Sequence, residues 1–265
     1  MIGLQRLGKN QGGYFGEQIE IGGVLRDDLE AAREFGWCVE ELGGQGDLKS
    51  VALQRPSEIA TRRIYISTGI HGDEPAGPLA IRQLLRENSW PADAALWLCP
   101  CLNPTGFALN RRENAQGIDL NRDYRHLETD ETRAHSAWLK RQPDFDLTLC
   151  VHEDWEAHGF YLYELNPDQR LSPAERIIEA VAKVCPIDHS PLVDGREARN
   201  GIIRPDLDPA KRPRWPEAFF LIQNKTRHCF TLEAASDFPI ETRVGALVTA
   251  VRAALAIPNF HSPCP

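Results

Sequence analysis

Short apolar runs alternate along this chain with longer stretches of helical spacing. The apolar, β-branched and aromatic runs are too short for helices, so they predict strands. These runs lie at residues 64–70, 94–99, 147–151, 160–163 and 229–232, with a further possible strand at 37–40. Apolar residues three and four positions apart predict helices at residues 27–35, 75–85, 131–141, 173–184 and 240–255. Strands that alternate with helices indicate an α/β fold, with a mixed, mostly parallel twisted sheet and helices on both faces.

Two segments stand outside this alternation. Residues 1–50 are rich in glycine and are expected to form an N-terminal element packed on the main body. Residues 186–216 contain six prolines among many Asp and Arg residues. A structureless segment of that length is usually a loop over a site or a disordered region, and we favour a loop that covers the site. With 265 residues, of which 42% are hydrophobic, the chain is expected to form a single domain over residues 1–265.

The turn after the first buried run carries two potential metal ligands. His71 and Glu74 stand between Gly69 and Pro75, where the apolar run ends and the helical spacing begins. An imidazole nitrogen and a carboxylate oxygen are common zinc ligands. Because the chain holds 38 acidic residues and 8 histidines, about one such pair is expected by chance. The position of this pair at the carboxyl end of a strand, where α/β sheets place their chemistry, supports a functional role.

Two later apolar runs lead directly into His152 and Glu233. If the three strands are parallel neighbours, His71, His152 and Glu233 meet at one edge of the sheet. His71, Glu74 and His152 then form a zinc site with three protein ligands and an open position for water, which is the arrangement of catalytic zinc. Glu233 is placed to act as the general base on that water.

A polar segment at residues 101–125 follows the second predicted strand. It contains the run Gly117-Ile118-Asp119-Leu120-Asn121-Arg122-Asp123-Tyr124, preceded by Asn103-Pro104-Thr105-Gly106-Phe107. Together with the His71/Glu74 pair, these motifs resemble the zinc carboxypeptidase (M14) family. The resemblance covers about residues 71–233 and the last helix. It is nearest to compact bacterial members, similar to murein peptide amidases and to the succinylglutamate desuccinylase and aspartoacylase branch.

The resemblance implies a role for each matching residue near the metal. One zinc ion would be held by His71, Glu74 and His152. Asp119 would accept a hydrogen bond from the far nitrogen of His71 and so fix the tautomer of that ring. Arg112 would stabilise the oxyanion that develops on the cleaved carbonyl.

The same resemblance implies roles in substrate binding and proton transfer. Asn121 and Arg122 would hold the terminal carboxylate of the substrate, Arg122 through two charge-assisted hydrogen bonds. Glu233 would take a proton from the zinc-activated water and hand it to the leaving amine.

The sequence departs from the larger digestive members of the family in two ways. Those members carry a tyrosine in a loop shortly before the last strand, whereas no tyrosine follows Tyr163 here. The interval between Glu74 and His152 is also shorter. Both departures favour a specialised small substrate over general carboxypeptidase activity. The loop residues that are candidates for the place of the tyrosine are Arg196, Arg199, Arg204 and Trp215.

The net charge, the lack of long apolar runs and the cysteine spacing argue against several other classes of protein. The formal net charge of −8 argues against binding to nucleic-acid backbones, which depends on Lys and Arg. No apolar run has the length of a membrane span or of a secretory segment, so we expect a cytoplasmic protein without membrane contacts. The seven cysteines lack C-x-x-C spacing, and we expect free, mostly buried thiols.

One functional hypothesis and two alternatives remain. The sequence predicts a metallocarboxypeptidase-like zinc hydrolase that cleaves an amide bond next to a free carboxylate in a short peptide. An N-acyl amino acid deacylase would use the same chemistry on another substrate, and a catalytically silent domain would only bind a carboxylate ligand. The sequence offers no G-x-S-x-G motif or phosphate-binding glycine loop in support of other classes. The oligomeric state and the side-chain preference stay open.

Overall fold

The computed structural model of the protein describes residues 5–10, 17–45 and 48–256. The first four residues and Cys264 lie outside these ranges. The six described cysteines are free thiols, and all of them except Cys38 are buried. Within the described ranges, we find no helix that combines the length and the apolar character needed to cross a membrane.

Helices and strands alternate along most of the chain. The α-helices of the described residues are α1 (Ile21–Glu34), α2 (Ala76–Glu87), α3 (Pro104–Leu109), α4 (Asp130–Arg141), α5 (Ala174–Val181), α6 (Glu217–Asn224) and α7 (Ile240–Leu255). The strands are β1 (Cys38–Gln45), β2 (Leu48–Arg55), β3 (Arg62–Thr68), β4 (Ala94–Cys99), β5 (Leu147–Asp154), β6 (Tyr161–Leu165), β7 (Leu192–Val193), β8 (Arg196–Glu197), β9 (Ile202–Ile203) and β10 (Cys229–Ala235). Short 3-10 turns lie at Leu120–Arg122 and Pro209–Lys211.

A mixed sheet forms the centre of the molecule. Its strand order is β1-β2-β4-β3-β5-β10-β6-β9. The four central strands, β4, β3, β5 and β10, run parallel to one another, whereas β2 and β6 pair antiparallel with them on either side. Strands β7 and β8 form a separate hairpin. The prediction of an α/β fold with a mixed, mostly parallel sheet is confirmed.

Helices cover both faces of this sheet. Ile64 and Ile66 of β3 belong to an apolar core that includes residues of α2, α5 and α7. Tyr65, between them in sequence, belongs to a second core that includes residues of α4 and α6. Successive side chains of a strand point to opposite faces, so the two cores lie on opposite sides of the sheet. This burial on both faces explains why the central strands are continuous apolar runs.

The amino-terminal region contains more regular structure than the sequence pattern predicted. Helix α1 begins at Ile21, six residues earlier than expected, and β1 continues to Gln45. Strand β2 was not predicted, because it combines Lys49, Ser50 and Ala52, which are weak strand formers. It pairs antiparallel with both β1 and β4 and thereby adds the amino-terminal hairpin to the main sheet.

The composition of residues 186–216 predicted a segment without regular structure, but the structure shows otherwise. It holds the short strands β7, β8 and β9, and the β7–β8 hairpin turns at Asp194 and Gly195, both with left-handed φ angles. Strands of two residues are too short to leave a hydrophobic pattern in the sequence. Helix α6 follows directly and was also missed, since its residues 217–222 are all buried and show no polar face.

Candidate metal and catalytic site

Three neighbouring parallel strands bring the predicted site residues to one edge of the sheet. Strand β5 lies between β3 and β10. His71 follows the end of β3 by three residues, and His152 in β5 lies opposite Glu233 in β10 in the strand register. Strands β5 and β10 each continue for two residues beyond these side chains, so the predicted strand ends were too early.

Close backbone packing shapes the turn between β3 and α2. Gly69 has a φ angle of +65°, which favours glycine. Gly72 lies so close to Gly106 that an added Cβ would come within 2.0 Å of its carbonyl carbon. The Nδ2 atom of Asn103 donates a hydrogen bond to the carbonyl of Ile70 at 3.1 Å. The Asn-Pro-Thr-Gly-Phe motif therefore supports the turn that carries the predicted ligands.

His71, Glu74 and His152 form a buried cluster with donor atoms that all lie within 4.8 Å of one another. Nδ1 of His71 is 2.5 Å from Oε1 of Glu74. Nδ1 of His152 is 3.0 Å from Oε2 of the same carboxylate. Two imidazoles and one carboxylate are the donor set of several catalytic zinc sites, so the residues fit such an ion.

Burial and mutual contact shift the pKa values of the three groups. Burial by itself would raise the pKa of Glu74, but the imidazoles of His71 and His152 hold this pKa well below its usual range. Burial also lowers the pKa of His152, and the charge of Glu74 offsets that shift only in part. For His71, burial opposes Glu74 and Asp119, and the net pKa is raised. Glu74 is therefore an ionised carboxylate available as an anionic ligand.

Asp119 lies on the far side of the His71 ring. Its Oδ1 is 3.3 Å from Nε2 of His71, although this pair is not aligned as a hydrogen bond. The same oxygen accepts a hydrogen bond from the backbone N–H of Asn121, and Oδ2 accepts one from Nε of Arg112, both at 2.9 Å. Because Asp119 faces Nε2, the Nδ1 atom of His71 is the one directed at Glu74.

Arg112 lies beside the cluster and lines the cavity above it. Its Nη1 atom is 3.3 Å from Nδ1 of His71 and 3.8 Å from Oε1 of Glu74. The side chain is 38% exposed, so the guanidinium is accessible from the cavity. Its charge is available to a group that binds next to the cluster.

Glu233 is buried and lines the same cavity. Burial raises its pKa well above the ordinary value, and the nearby charges of Glu74, Asp154 and Asp194 raise it further. A buried carboxyl group with a raised pKa is a candidate for proton transfer.

Asn121 and Arg122 also line the cavity, but their contacts differ. Oδ1 of Asn121 accepts a hydrogen bond from the backbone N–H of Glu217, the first residue of α6, at 2.8 Å. Nη1 of Arg122 donates to the carbonyl of Asn121 at 2.8 Å, and this side chain is exposed. The oxygen of Asn121 is therefore engaged within the protein, whereas Arg122 is accessible to an anion.

The cavity has a volume of about 700 Å³, and the proline-rich loop contributes part of its wall. Among the loop residues considered for the place of the missing tyrosine, Arg196 lines the cavity. Arg204 instead pairs with Glu164 at 2.7 Å, and Trp215 packs edge-on against Phe219.

Two tyrosines of β6 line the cavity and were not predicted as site residues. Tyr161 lies opposite Glu233 in the register and donates a hydrogen bond to Asp154 at 3.0 Å. Tyr163 donates to Asp194 in the β7–β8 turn. Their spacing of two residues indicates one face of a strand. The pairing of that strand with β10, which brings them to the site, is not visible in the sequence.

Comparison with known proteins gives a family match over part of the chain. Residues 60–181 match the succinylglutamate desuccinylase/aspartoacylase catalytic domain. Carboxypeptidase SOL1 from Arabidopsis thaliana is 33% identical over 123 residues, which is 37% of this chain and 24% of that protein. The match thus spans about a quarter of the length of this curated relative.

Solved structures share the fold. A candidate metallopeptidase from Shewanella amazonensis superposes with a TM-score of 0.77 at 24% identity, over 91% of this chain and 97% of that chain. A metallo-carboxypeptidase from Burkholderia cenocepacia gives a TM-score of 0.62 at 16% identity, over 86% and 66% of the two chains. Carboxypeptidase A from Helicoverpa armigera gives 0.61 at 14% identity, over 91% and 74%. Over residues 60–181 the sequence is similar to the succinylglutamate desuccinylase/aspartoacylase catalytic domain, and the fold is shared with the carboxypeptidase structures, so the comparisons support an M14-like family for this chain.

Proposed function

We propose that this protein is a zinc-dependent hydrolase that cleaves an amide bond adjacent to a free carboxylate. The observation that carries this proposal is the buried cluster of His71, Glu74 and His152, with Glu233 lining the same cavity. Three protein ligands leave a fourth position of a tetrahedral zinc site open, as catalytic zinc requires. We propose one zinc ion for each chain.

In this proposal, Glu233 is the residue that transfers the proton. A zinc ion held by the three ligands would polarise the substrate carbonyl and lower the pKa of a water molecule. Glu233 would take a proton from the attacking water as its oxygen bonds to the carbonyl carbon, and would pass that proton to the amine nitrogen as the C–N bond breaks. Its burial in the wall of the cavity and its raised pKa support this role, because carboxyl groups with perturbed pKa values commonly serve as general acids and bases. Asp119, whose Oδ1 lies 3.3 Å from Nε2 of His71, would orient that ring.

Two arginines support a substrate that carries a carboxylate. Arg112, beside the ligand cluster, stabilises negative charge on the carbonyl oxygen as it develops. Arg122, exposed on the cavity wall, binds the free carboxylate through its planar guanidinium. The amide nitrogen of Asn121 contributes a further donor, since its oxygen is held by α6.

Two classes of substrate fit this arrangement. A short peptide with a free carboxyl terminus is the main proposal, supported by the likeness to a curated carboxypeptidase. An N-acyl amino acid is the alternative, and the match of residues 60–181 to the desuccinylase/aspartoacylase domain favours it. Both substrates place an amide bond next to a carboxylate, so the same residues would act on either.

The Glu233→Gln variant tests the mechanism. We expect it to retain zinc, measured by elemental analysis, and to lose on the order of 10²- to 10⁴-fold in kcat, because general acid–base catalysis is removed. Glu179→Gln, at an exposed position on α5, serves as the control and should match the parent protein. Full activity in Glu233→Gln would refute the mechanism.

A substrate survey separates the two classes and the silent alternative. Peptides with varied carboxyl-terminal residues and a series of N-acyl amino acids are incubated with the zinc-loaded protein, and released amines are quantified. Release from peptides alone supports the carboxypeptidase, and release from acyl amino acids alone supports the deacylase. A protein that binds zinc and carboxylates but releases no amine from either series is the silent binding domain.

A further inference from the structure

Glu153 is a fully buried acid next to the ligand His152 that has no role in the chemistry described above. Its side chain and that of Arg243 are both 0% exposed. Because successive residues of a strand face opposite sides, His152 points to the cavity while Glu153 points toward the helices behind it. Its contacts are with α2 and α7.

The carboxylate of Glu153 binds one group from each of these helices. Oε1 accepts a hydrogen bond at 2.5 Å from the backbone N–H of Ala76, the first residue of α2. Oε2 accepts a hydrogen bond at 2.5 Å from Nη1 of Arg243 in α7. Arg243 also forms an ion pair with Glu17. A buried carboxylate at a helix amino terminus satisfies an N–H that has no partner within the helix.

The backbone of Glu153 makes a further contact with the ligand set. Its N–H donates a hydrogen bond at 3.1 Å to Oε2 of Glu74, the same oxygen that faces His152. Glu74 lies two residues before Ala76. The main chain of Glu153 thus holds the Glu74 carboxylate, while its side chain holds the start of α2 that follows Glu74 in sequence. These two contacts connect Glu74, just before α2, to the part of β5 that carries His152.

We propose that Glu153 is a positioning residue that fixes Glu74 relative to His152 and thereby sets the affinity of the site for its metal ion. Metal affinity depends on ligands that are held in place before the ion binds, and the residues that hold them commonly contribute 10- to 100-fold. The proposal rests on the metal site of the proposed function but not on amide hydrolysis. Arg243 supports Glu153 by compensating its charge in a place that water does not reach.

The test compares two buried acids that each lose an ion pair. Glu153→Gln removes the charge next to the metal site, and Glu164→Gln removes the charge of another buried acid, paired with Arg204 and His228 and absent from the cavity lining. The dissociation constant of Zn²⁺ is measured by competition with a chromophoric chelator, and folding is checked by thermal unfolding. We expect Glu153→Gln to weaken Zn²⁺ binding 10- to 100-fold and Glu164→Gln to leave it within about threefold.

A spectroscopic readout separates positioning from general destabilisation. With Co²⁺ in place of zinc, the absorption bands of the bound ion report its ligand geometry, and we expect them to change in Glu153→Gln but not in Glu164→Gln. If Glu153→Gln does not fold, Arg243→Lys, which keeps the charge but loses the planar fork, should weaken Zn²⁺ binding in the same direction. Equal zinc affinity in Glu153→Gln and the parent, or equal loss in both Gln variants, overturns the inference. A parent protein that binds no zinc overturns it as well. If the affinity difference is found but no amide is cleaved, the inference stands and the proposed hydrolase activity falls.

Discussion

The buried acidic residues of this protein differ in the groups that compensate their negative charge. Glu153 has Arg243 and a helix N–H, and Glu74 has two imidazoles. Asp28 on α1 is 0% exposed, and neither of its carboxylate oxygens has a hydrogen-bond partner among the described residues. Burial raises the pKa of Asp28 well above its usual value, more than the nearby charge of Arg82 lowers it. An acid in such a place costs stability when it is ionised.

The Asp28→Asn variant tests this cost. A raised pKa in the folded protein means that stability falls as the pH rises from about 4, the unfolded value, through the folded value. We therefore expect Asp28→Asn to raise the melting temperature by a few degrees at pH 8, equivalent to about 1–2 kcal/mol, and by much less at pH 4.5. Asp27→Asn removes an acid paired with Arg82 and Arg86 and should show no such gain. An equal gain from Asp28→Asn at both pH values would contradict the account.

At the scale of elements, the site depends on how closely the β3–α2 turn packs against α3. The turn approaches the Gly106–Phe107 backbone without room for a side chain at Gly72. The Asn103 side chain ties the same two segments together. The turn is thus held from outside by a motif that has no donor atoms in the ligand cluster. This packing therefore fixes the position of the proposed metal ligands.

The Gly72→Ala variant probes that packing. Its Cβ would come within 2.3 Å of the Phe107 nitrogen, and both neighbours are backbone atoms, so the turn must move. We expect a loss of several kcal/mol in stability, consistent with severe overpacking, together with weaker zinc binding measured by chelator competition. The matched control is Gly245→Ala in α7, where nothing lies within 4 Å and the helix gains about 0.5–1 kcal/mol. Unchanged zinc affinity in a folded Gly72→Ala protein would show that the turn is not held by this contact.

In the whole molecule, the proposed metal site links two strands and one helix. His71 follows β3, Glu74 precedes α2, and His152 lies in β5, so a bound ion would connect segments distant in sequence. A ligand that binds only the folded state stabilises it by mass action. Metal binding to imidazoles also competes with protons, so the stabilisation depends on pH.

Zinc addition should therefore raise the melting temperature in a pH-dependent way. At a free zinc concentration of about 100 times the dissociation constant, we expect about 2.7 kcal/mol of stabilisation at pH 7.5. Because the pKa of His71 is raised above the ordinary imidazole value of about 6.5 in the metal-free protein, protons already compete with zinc above that pH, and the gain should shrink steadily as the pH falls from 7.5 to 5.5. His152→Ala should lose most of the zinc-dependent shift. A shift that persists in that variant would place zinc elsewhere on the protein.

The sequence is sufficient to predict those elements whose pattern follows from burial alone. Strands β3, β4, β5 and β10 are buried on both faces, so each leaves a continuous apolar run, and α7 leaves helical spacing over the predicted bounds, residues 240–255. The motif at residues 117–124 led to an M14-like family, which the comparisons support. Helix α6 and strand β2 were not predicted, because α6 has no polar face and β2 has few strong strand formers, and β1 was predicted only at residues 37–40.

The folded chain, and not the local sequence, fixes which of these elements are neighbours. The order β3-β5-β10 sets His71, Glu74, His152 and Glu233 around one cavity, and nothing in the local pattern of a strand specifies its partner. The contacts that surround the ligand cluster could not be predicted from the sequence either. Glu153 contacts Ala76 and Arg243, which are 77 and 90 residues away along the chain. The local pattern of apolar and polar side chains reflects whether each residue is buried or exposed. Pairing between distant strands depends on the packing of the whole sheet, and the site is built from that pairing.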